Sequence, residues 1–363
     1  MSTPNKPIIG ITCGDLNGIG LEVIIKTMLD NRITEICTPV LFASSKVVSY
    51  HRKALNILDF SFNIINDLSQ INHKRPNLIN AWKEEVTLEF GKADPNVGKF
   101  AVKSLMAAVQ ALKAGAIDAV VTAPINKHVT QSEEFRFPGH TEFLEHHFGG
   151  KSMMILCSET MRITPLTIHV PLSKVPSLVT EERLLNAIAQ FERSLKVDFG
   201  IRRPKIAVLG LNPHAGDNGL IGLEEVTFIT PAIEKAFSAG TLVYGPFSAD
   251  GFFGSGAFKK FDGIISMYHD QGLIPFKLLA FDEGVNYTAG LPVVRTSPDH
   301  GPAYDIAGRG VADETSFKQA MWLAIDILRN RELHAEISAN PLPFSQQRSG
   351  PDEDVVVDIQ NGN

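Results

Sequence analysis

Cysteine is scarce in this chain and scattered: Cys13, Cys37 and Cys157 are the only three, and no C-x-x-C pair occurs. That excludes a zinc knuckle and a redox dithiol. The odd count, with no secretory pattern at the start, leads us to expect a reducing, cytoplasmic setting. Positive charge is also lacking, since 34 Lys+Arg are outweighed by 40 Asp+Glu and no basic stripe forms. A nucleic-acid partner is therefore not expected. No apolar run approaches the roughly 20 residues that a membrane-spanning helix needs, so no membrane partner is expected either. Internal repeats, a Rossmann G-x-G-x-x-G and a Walker loop are all missing.

What is present is strand–helix alternation over a length of 363 residues, which predicts two lobes rather than one core. Nearly continuous apolar runs predict strands at Pro7–Thr12, Val40–Ala43, Ala119–Thr122, Met153–Cys157, Thr164–His169, Lys205–Leu211 and Gly263–Tyr268. Such runs suit strands covered on both faces, hence an α/β architecture with a largely parallel sheet. Between them, Lys99–Ala114 has helical spacing and Gly115 as its stop, and Thr180 caps a helix whose stripe is Leu184, Leu185, Ile188, Phe191 and Leu195. From Asn340 onward the chain turns polar, as a peripheral tail would.

Three predicted strands run into histidine: Thr-Ile-His169, Leu-Asn-Pro-His214 and Met-Tyr-His269. Any one alone is commonplace. Three at equivalent strand ends, where open α/β sheets bind ligands, suggest a metal site of neutral imidazoles with open positions. Phe137-Pro138-Gly139-His140-Thr141-Glu142 is a turn feeding a helix over Glu142–His147, and it places His140 and Thr141 where an anion could be held. Asp250, in another polar turn, is a candidate proton acceptor. Lys277, Asn286 and Arg295 follow His269 at short intervals and could meet phosphate and carboxylate groups. The small-residue loop Asp299–Gly310 can wrap a flat ring, with Asp305 accepting from a ribose hydroxyl. Gly14-Asp15-Leu16-Asn17-Gly18-Ile19-Gly20 reads equally as a tight strand-to-helix turn or as a site-lining loop.

As an ordered set, these segments, with Thr-Ala-Pro-Ile-Asn-Lys127, Tyr-His-Asp-Gln-Gly272 and Asp-Ile-Ala-Gly308, resemble the 4-hydroxythreonine-4-phosphate dehydrogenase family of pyridoxal phosphate (vitamin B6) biosynthesis. The resemblance runs from about Ile8 to about Leu328. It implies the two-lobed α/β fold of isocitrate and isopropylmalate dehydrogenases, with a continuous mixed sheet. The lobes would be residues 1–127 with 275–340 on the cofactor side and 128–274 for metal, substrate and dimerisation, leaving 341–363 as the tail. It also implies a homodimer with sites completed across the interface. His169, His214 and His269 match the family's metal ligands, with Zn²⁺ first and Co²⁺ or Mg²⁺ as alternatives. His140, Thr141, Lys277, Asn286 and Arg295 match its substrate positions. His300, Gly301, Ala303 and Asp305 match the adenosine loop for NAD. Leu16-Asn17 and Leu21 depart from the family's usual Pro-Ala and Pro, Asp313 stands where Asn is frequent, and the 66–96 segment is longer than expected.

The implied reaction is oxidation of the C3 hydroxyl of 4-phosphooxy-L-threonine by NAD⁺, then loss of CO2, with a divalent metal assisting both steps. The rival substrate class is 4-phospho-D-threonate or D-erythronate. A metal-dependent hydrolase would use the same histidines but has no need of the adenosine loop, and a non-catalytic phosphometabolite binder has no need of metal ligands.

Overall fold

The computed structural model describes residues 6–132, 135–137 and 139–340. The tail over 341–363 and Pro138 of the Pro-Gly turn lie outside the described residues. The strands are β1 (Ile8–Thr12), β2 (Thr38–Ala43), β3 (Asn63–Ile65), β4 (Asn77–Asn80), β5 (Ala119–Thr122), β6 (Met153–Cys157), β7 (Arg162–Thr167), β8 (Ile206–Leu209), β9 (Val243–Phe247), β10 (Gly263–Tyr268), β11 (Val285–Ala289) and β12 (Val294–Pro298). They form one continuous mixed sheet in the order β3-β4-β2-β1-β5-β12-β11-β6-β7-β10-β8-β9. The helices are α1 (Gly20–Met28), α2 (Arg32–Ile36), α3 (Ser45–Ala54), α4 (Pro95–Lys113), α5 (Lys127–Thr130), α6 (His140–Phe148), α7 (Val175–Leu178), α8 (Glu181–Val197), α9 (Thr230–Ser238), α10 (Ala249–Gly254), α11 (His269–Ala280) and α12 (Thr315–Ser338). None is long and apolar enough to cross a membrane, among the described residues.

Because successive strand residues point to opposite faces, each apolar strand feeds two cores. Ile9, Ile11, Leu41, Val121, Val208 and Ile265 join one cluster that runs along a single face of the whole sheet. Their neighbours split on the other face: Val40, Phe42 and Val120 pack with α4, whereas Ala207, Leu209 and Ile264 pack with Phe252, Leu273 and Phe276. Burial on both faces is why these strands read as unbroken apolar runs.

The helix ends follow their chemistry. Asp94 caps α4 by accepting from Asn96 N at 2.8 Å, Pro95 opens it, and Gly115 leaves it at φ +66°. Thr180 caps α8, accepting from Arg183 N at 3.2 Å. β8 stops at Leu209, short of the expected Leu211, because the Leu211 and Asn212 N–H groups both donate to Glu225 Oε1 at 2.7 Å instead of to a strand.

Strand direction sets up the site. β11 is antiparallel to β12 and to β6, and β6 is antiparallel to β7. Three reversals make the β7–β10–β8–β9 half run opposite to the β1–β5–β12 half. The carboxyl ends of the two halves therefore lie on opposite edges, and the central strands β12, β11 and β6 lie between them.

Candidate functional site

β12 carries Arg295 into the interior beside β5, where it is only 4% exposed. Its Nε and Nη2 donate to Thr122 Oγ1 at 3.0 and 2.7 Å, and its Nη1 donates to Thr288 Oγ1 at 3.0 Å. Nη2 also donates to His140 Nδ1 at 3.4 Å. All four bonds go to neutral groups, and burial pulls the guanidinium's pKa down to about 10. A buried cation with no carboxylate bonded to it is unstable until an anion arrives.

His140 opens α6, two residues earlier than the expected Glu142, because Gly139 is extended at φ −178° and serves as N-cap. Thr141 is then a first-turn residue and not the cap. Burial, Arg295 and Lys127 hold His140 well below the usual histidine range, so it is neutral. With Nδ1 accepting from Arg295, the ring proton sits on Nε2, which is free to donate.

Across the central strands, α11 presents His269 and Lys277. Lys277 Nζ lies 3.5 Å from Asp299 Oδ2, and burial raises the Asp299 carboxyl. His300 Nδ1 donates to Gly301 O at 3.0 Å, which leaves Nε2 as a buried acceptor without a partner. Asn286 Oδ1 on β11 is likewise buried and unpartnered. Native interiors rarely leave such atoms unsatisfied, and both have an acceptor to offer a ligand. Gly301, Ala303 (φ +44°) and Asp305 continue the loop, with Gly301 and Asp305 exposed.

The structure brings two of the three strand-end histidines together. His169 follows β7, His269 follows the neighbouring β10, and their ring centroids are 5.8 Å apart. Asp270 Oδ1 accepts from His269 Nδ1 at 2.7 Å, which orients the ring with Nε2 outward, as metal-binding imidazoles require. Burial, Lys127 and His269 lower the pKa of His169 and keep its lone pair available. His214 follows β8 on the same edge, itself exposed, in a left-handed run over His214–Asn218. No three His, Cys, Asp or Glu among the described residues are grouped to hold a metal. Asp250 on α10 is exposed and faces His214. Hydrogen bonds from Ser248 and Gly251, then His214, hold its carboxyl below the usual carboxylate range.

Two charged residues belong to this cluster that the site expectations omitted. Lys127 opens α5, and its Cε and Nζ flank Gly139 at 3.6 and 4.0 Å from where a Cβ would stand. Its charge acts on both His140 and His169. Glu142 Oε2 flanks the same position at 3.4 Å, and its charge reaches Arg295 and His169. The strand-end logic used for the histidines would have found Lys127, which follows β5 by five residues.

Residues 35–324 match the family described as pyridoxal phosphate biosynthetic protein PdxA. A 4-hydroxythreonine-4-phosphate dehydrogenase of Bacteroides thetaiotaomicron is 51% identical over 352 residues, covering 96% of each chain. A crystal structure of 4-hydroxythreonine-4-phosphate dehydrogenase from Klebsiella pneumoniae superimposes with a TM-score of 0.76 at 33% identity, covering 90% of this chain and 99% of that one. A protein of Oceanobacillus iheyensis named provisionally as a D-threonate 4-phosphate dehydrogenase is 38% identical, covering 89% of this chain and 98% of its own.

Proposed function

The chain belongs to the PdxA family of pyridoxal phosphate biosynthetic proteins, and we propose that it is the dehydrogenase of 4-phosphooxy-L-threonine. In this reaction NAD⁺ takes a hydride from C3, the C3 hydroxyl loses its proton, and the resulting β-keto acid releases CO2. The product is 3-amino-2-oxopropyl phosphate. The observation that carries the proposal is Arg295, buried, cationic and bonded only to neutral groups, with the neutral donor His140 beside it. This is a pocket built for an anionic group of a small phosphorylated acid.

Arg295, His140 and Thr141 hold one anionic end of the substrate, and Lys277 holds the other, with Asn286 Oδ1 accepting from a substrate donor. His300, Gly301, Ala303 and Asp305 hold the adenosine end of NAD, His300 through its bare Nε2. His169 and His269 have the donor atoms of metal ligands; burial favours the neutral form of His169, and Asp270 orients the ring of His269. When bound there, a divalent metal supplies Lewis acidity that eases loss of the hydroxyl proton and steadies the charge left as CO2 departs. Zn²⁺ suits an all-imidazole set, with Co²⁺ or Mg²⁺ as alternatives.

The third imidazole, His214, and the candidate proton acceptor Asp250 come from a second copy of the chain in a homodimer. Two exposed apolar stretches support an assembly: Leu220, Ile221, Leu223 and Val226 beside the His214 loop, and Ile274, Leu278 and Phe281 on one face of α11. The free, buried cysteines suit a reducing cytoplasm.

The deciding experiment is NADH formation by the purified protein with 4-phosphooxy-L-threonine and with 4-phospho-D-threonate, side by side. We expect the amino acid to give the higher kcat/KM. A preference for the threonate, the substrate class in the name of the 38% identical relative, would reassign the substrate and keep the chemistry. No NADH from either would overturn the proposal.

A further inference from the structure

Every residue of the turn after β1, from Ile11 to Gly20, is buried. It serves as a seat for other loops. Asp15 N donates to Pro124 O at 2.9 Å, and Ile19 N donates to Pro302 O at 2.9 Å. A Cβ on Gly14 would meet Pro124 O at 2.5 Å, and one on Gly18 would meet Pro302 O at 2.7 Å. The turn is thus wedged between the chain after β5 and the loop after β12, and its glycines are required for the close approach.

One side-chain chain crosses this junction. Tyr304, inside the adenosine loop, donates its hydroxyl to Asp15 Oδ2 at 2.6 Å, and Asn126 Nδ2 donates to the same hydroxyl at 3.1 Å. Asp15 is 2% exposed, and its Oδ1 already accepts from Asn17 N at 2.9 Å. Asn126 Oδ1 accepts from His128 N at 2.9 Å and so caps α5, the helix that starts at Lys127. Asn17 braces the junction from below. Its Oδ1 accepts from Glu89 N, its Nδ2 donates to Lys92 O and its carbonyl accepts from Gly91 N, each at 2.9 Å. The end of the longer 66–96 segment is thereby pressed against the loop, with Phe90 filling the space over Gly308.

We propose that Asp15, Tyr304 and Asn126 form a lock that fixes the NAD-binding loop against the substrate-side helix, with Tyr304 the positioning residue and Asn17 its brace. The proposal rests on the dehydrogenase reading above. The Tyr304 hydroxyl is taken up by Asp15 and Asn126, so its part is to position the loop. It holds the loop whose His300 and Ala303 touch the cofactor, so NAD binds without first having to order the loop.

Tyr304→Phe removes the hydroxyl alone and leaves Asp15 Oδ2 unpaired. Loss of one buried, charge-assisted hydrogen bond should weaken cofactor binding about tenfold. Both the KM for NAD⁺ and the NADH dissociation constant from a fluorescence titration should rise by that factor. With saturating NAD⁺, kcat and the KM for the phosphorylated acid should stay within about twofold of wild type, a split that general destabilisation would not produce. Asn17→Ala should move the same two cofactor constants in the same direction by a smaller factor, and it serves as the second variant should Tyr304→Phe fold poorly. Cofactor constants within twofold of wild type in both variants would overturn the lock while leaving the dehydrogenase intact. A wild-type protein that neither binds NADH nor forms it from either phosphorylated acid would overturn the dehydrogenase reading, and the lock with it.

Discussion

Arg295→Met separates stability from function. In the resting protein the guanidinium is a buried charge bonded to Thr122, Thr288 and His140. Replacing it with an apolar chain of similar length leaves two hydroxyls and one ring nitrogen unpartnered, about 1 kcal/mol each. Against that stands relief of the desolvation of a buried charge to which no carboxylate is bonded, several kcal/mol even after relaxation. The terms nearly cancel, so the melting temperature without ligands should change little or rise. Activity should collapse. Four of the five guanidinium N–H groups are already taken, so the variant loses one charge-assisted bond to a substrate anion, worth about 1.5–3 kcal/mol, which lowers kcat/KM by roughly 10–10². Thermal unfolding with and without inorganic phosphate, alongside NADH kinetics, measures both sides. Phosphate should raise the wild-type midpoint and not the variant's. A variant that unfolds many degrees lower yet keeps near-normal kcat/KM would show that Arg295 is a structural cation and refute the reasoning.

Acidification should destabilise the fold through its buried imidazoles. His51, donating to Leu16 O at 2.9 Å, is lowered to about 4, and His140 lies well below its usual range. Both folded pKa values are depressed, so the unfolded chain binds more protons below about pH 6.5 and stability falls from there towards pH 4, by more than about 1 kcal/mol per pH unit per imidazole. Urea titrations at pH 7 and pH 5 should show that loss, a smaller one in His51→Gln, and equal midpoints at the two pH values would contradict it. Exhaustive chelation should abolish NADH formation and a divalent ion restore it, while full activity after chelation would rule out the metal role. His214→Ala should lose metal with unchanged thermal unfolding, and undiminished metal content would refute that ligand assignment. Leu278→Asp, at a residue 81% exposed in the single chain, should convert a dimer to a folded monomer of low metal content. Light scattering that still shows a dimer would clear that face.

Sequence patterning located the strands that are buried on both faces and polar on neither. Ala119–Thr122, Met153–Cys157 and Gly263–Tyr268 sit where the apolar runs put them. The edge strand β3 and its neighbour β4 escaped it, because they are three and four residues long and include Asn63 and Asn77, which bond to each other at 2.9 Å. Histidines at strand ends could be read as a set, but residue order carries no distance. His169 and His269 follow adjacent parallel strands and converge, whereas His214 rides a seven-residue loop away from them. Which of them meet within one chain was beyond sequence. So was the reversal that turns the two halves of the sheet in opposite directions.

The strands least legible in the sequence are those that build the site, and the two facts have one cause. β11 reads Val-Asn-Tyr-Thr-Ala and β12 reads Val-Arg-Thr-Ser-Pro, yet they lie at the centre of the sheet, where continuous apolar runs are expected. Their polar residues break the pattern because they serve one another and the ligand: Thr288 and Thr122 accept from Arg295, Thr296 donates to Ala320 O at 2.7 Å, and Asn286 keeps a free acceptor. A buried strand can depart from apolar patterning only where its polar groups are paired or are waiting for a partner. Here most are paired, and the exceptions, Asn286 Oδ1 and the charge of Arg295 with no carboxylate bonded to it, are the two assigned to the proposed substrate. Local disagreement between pattern and fold is thus itself a locator of the site, and it points to the same residues as the geometry does.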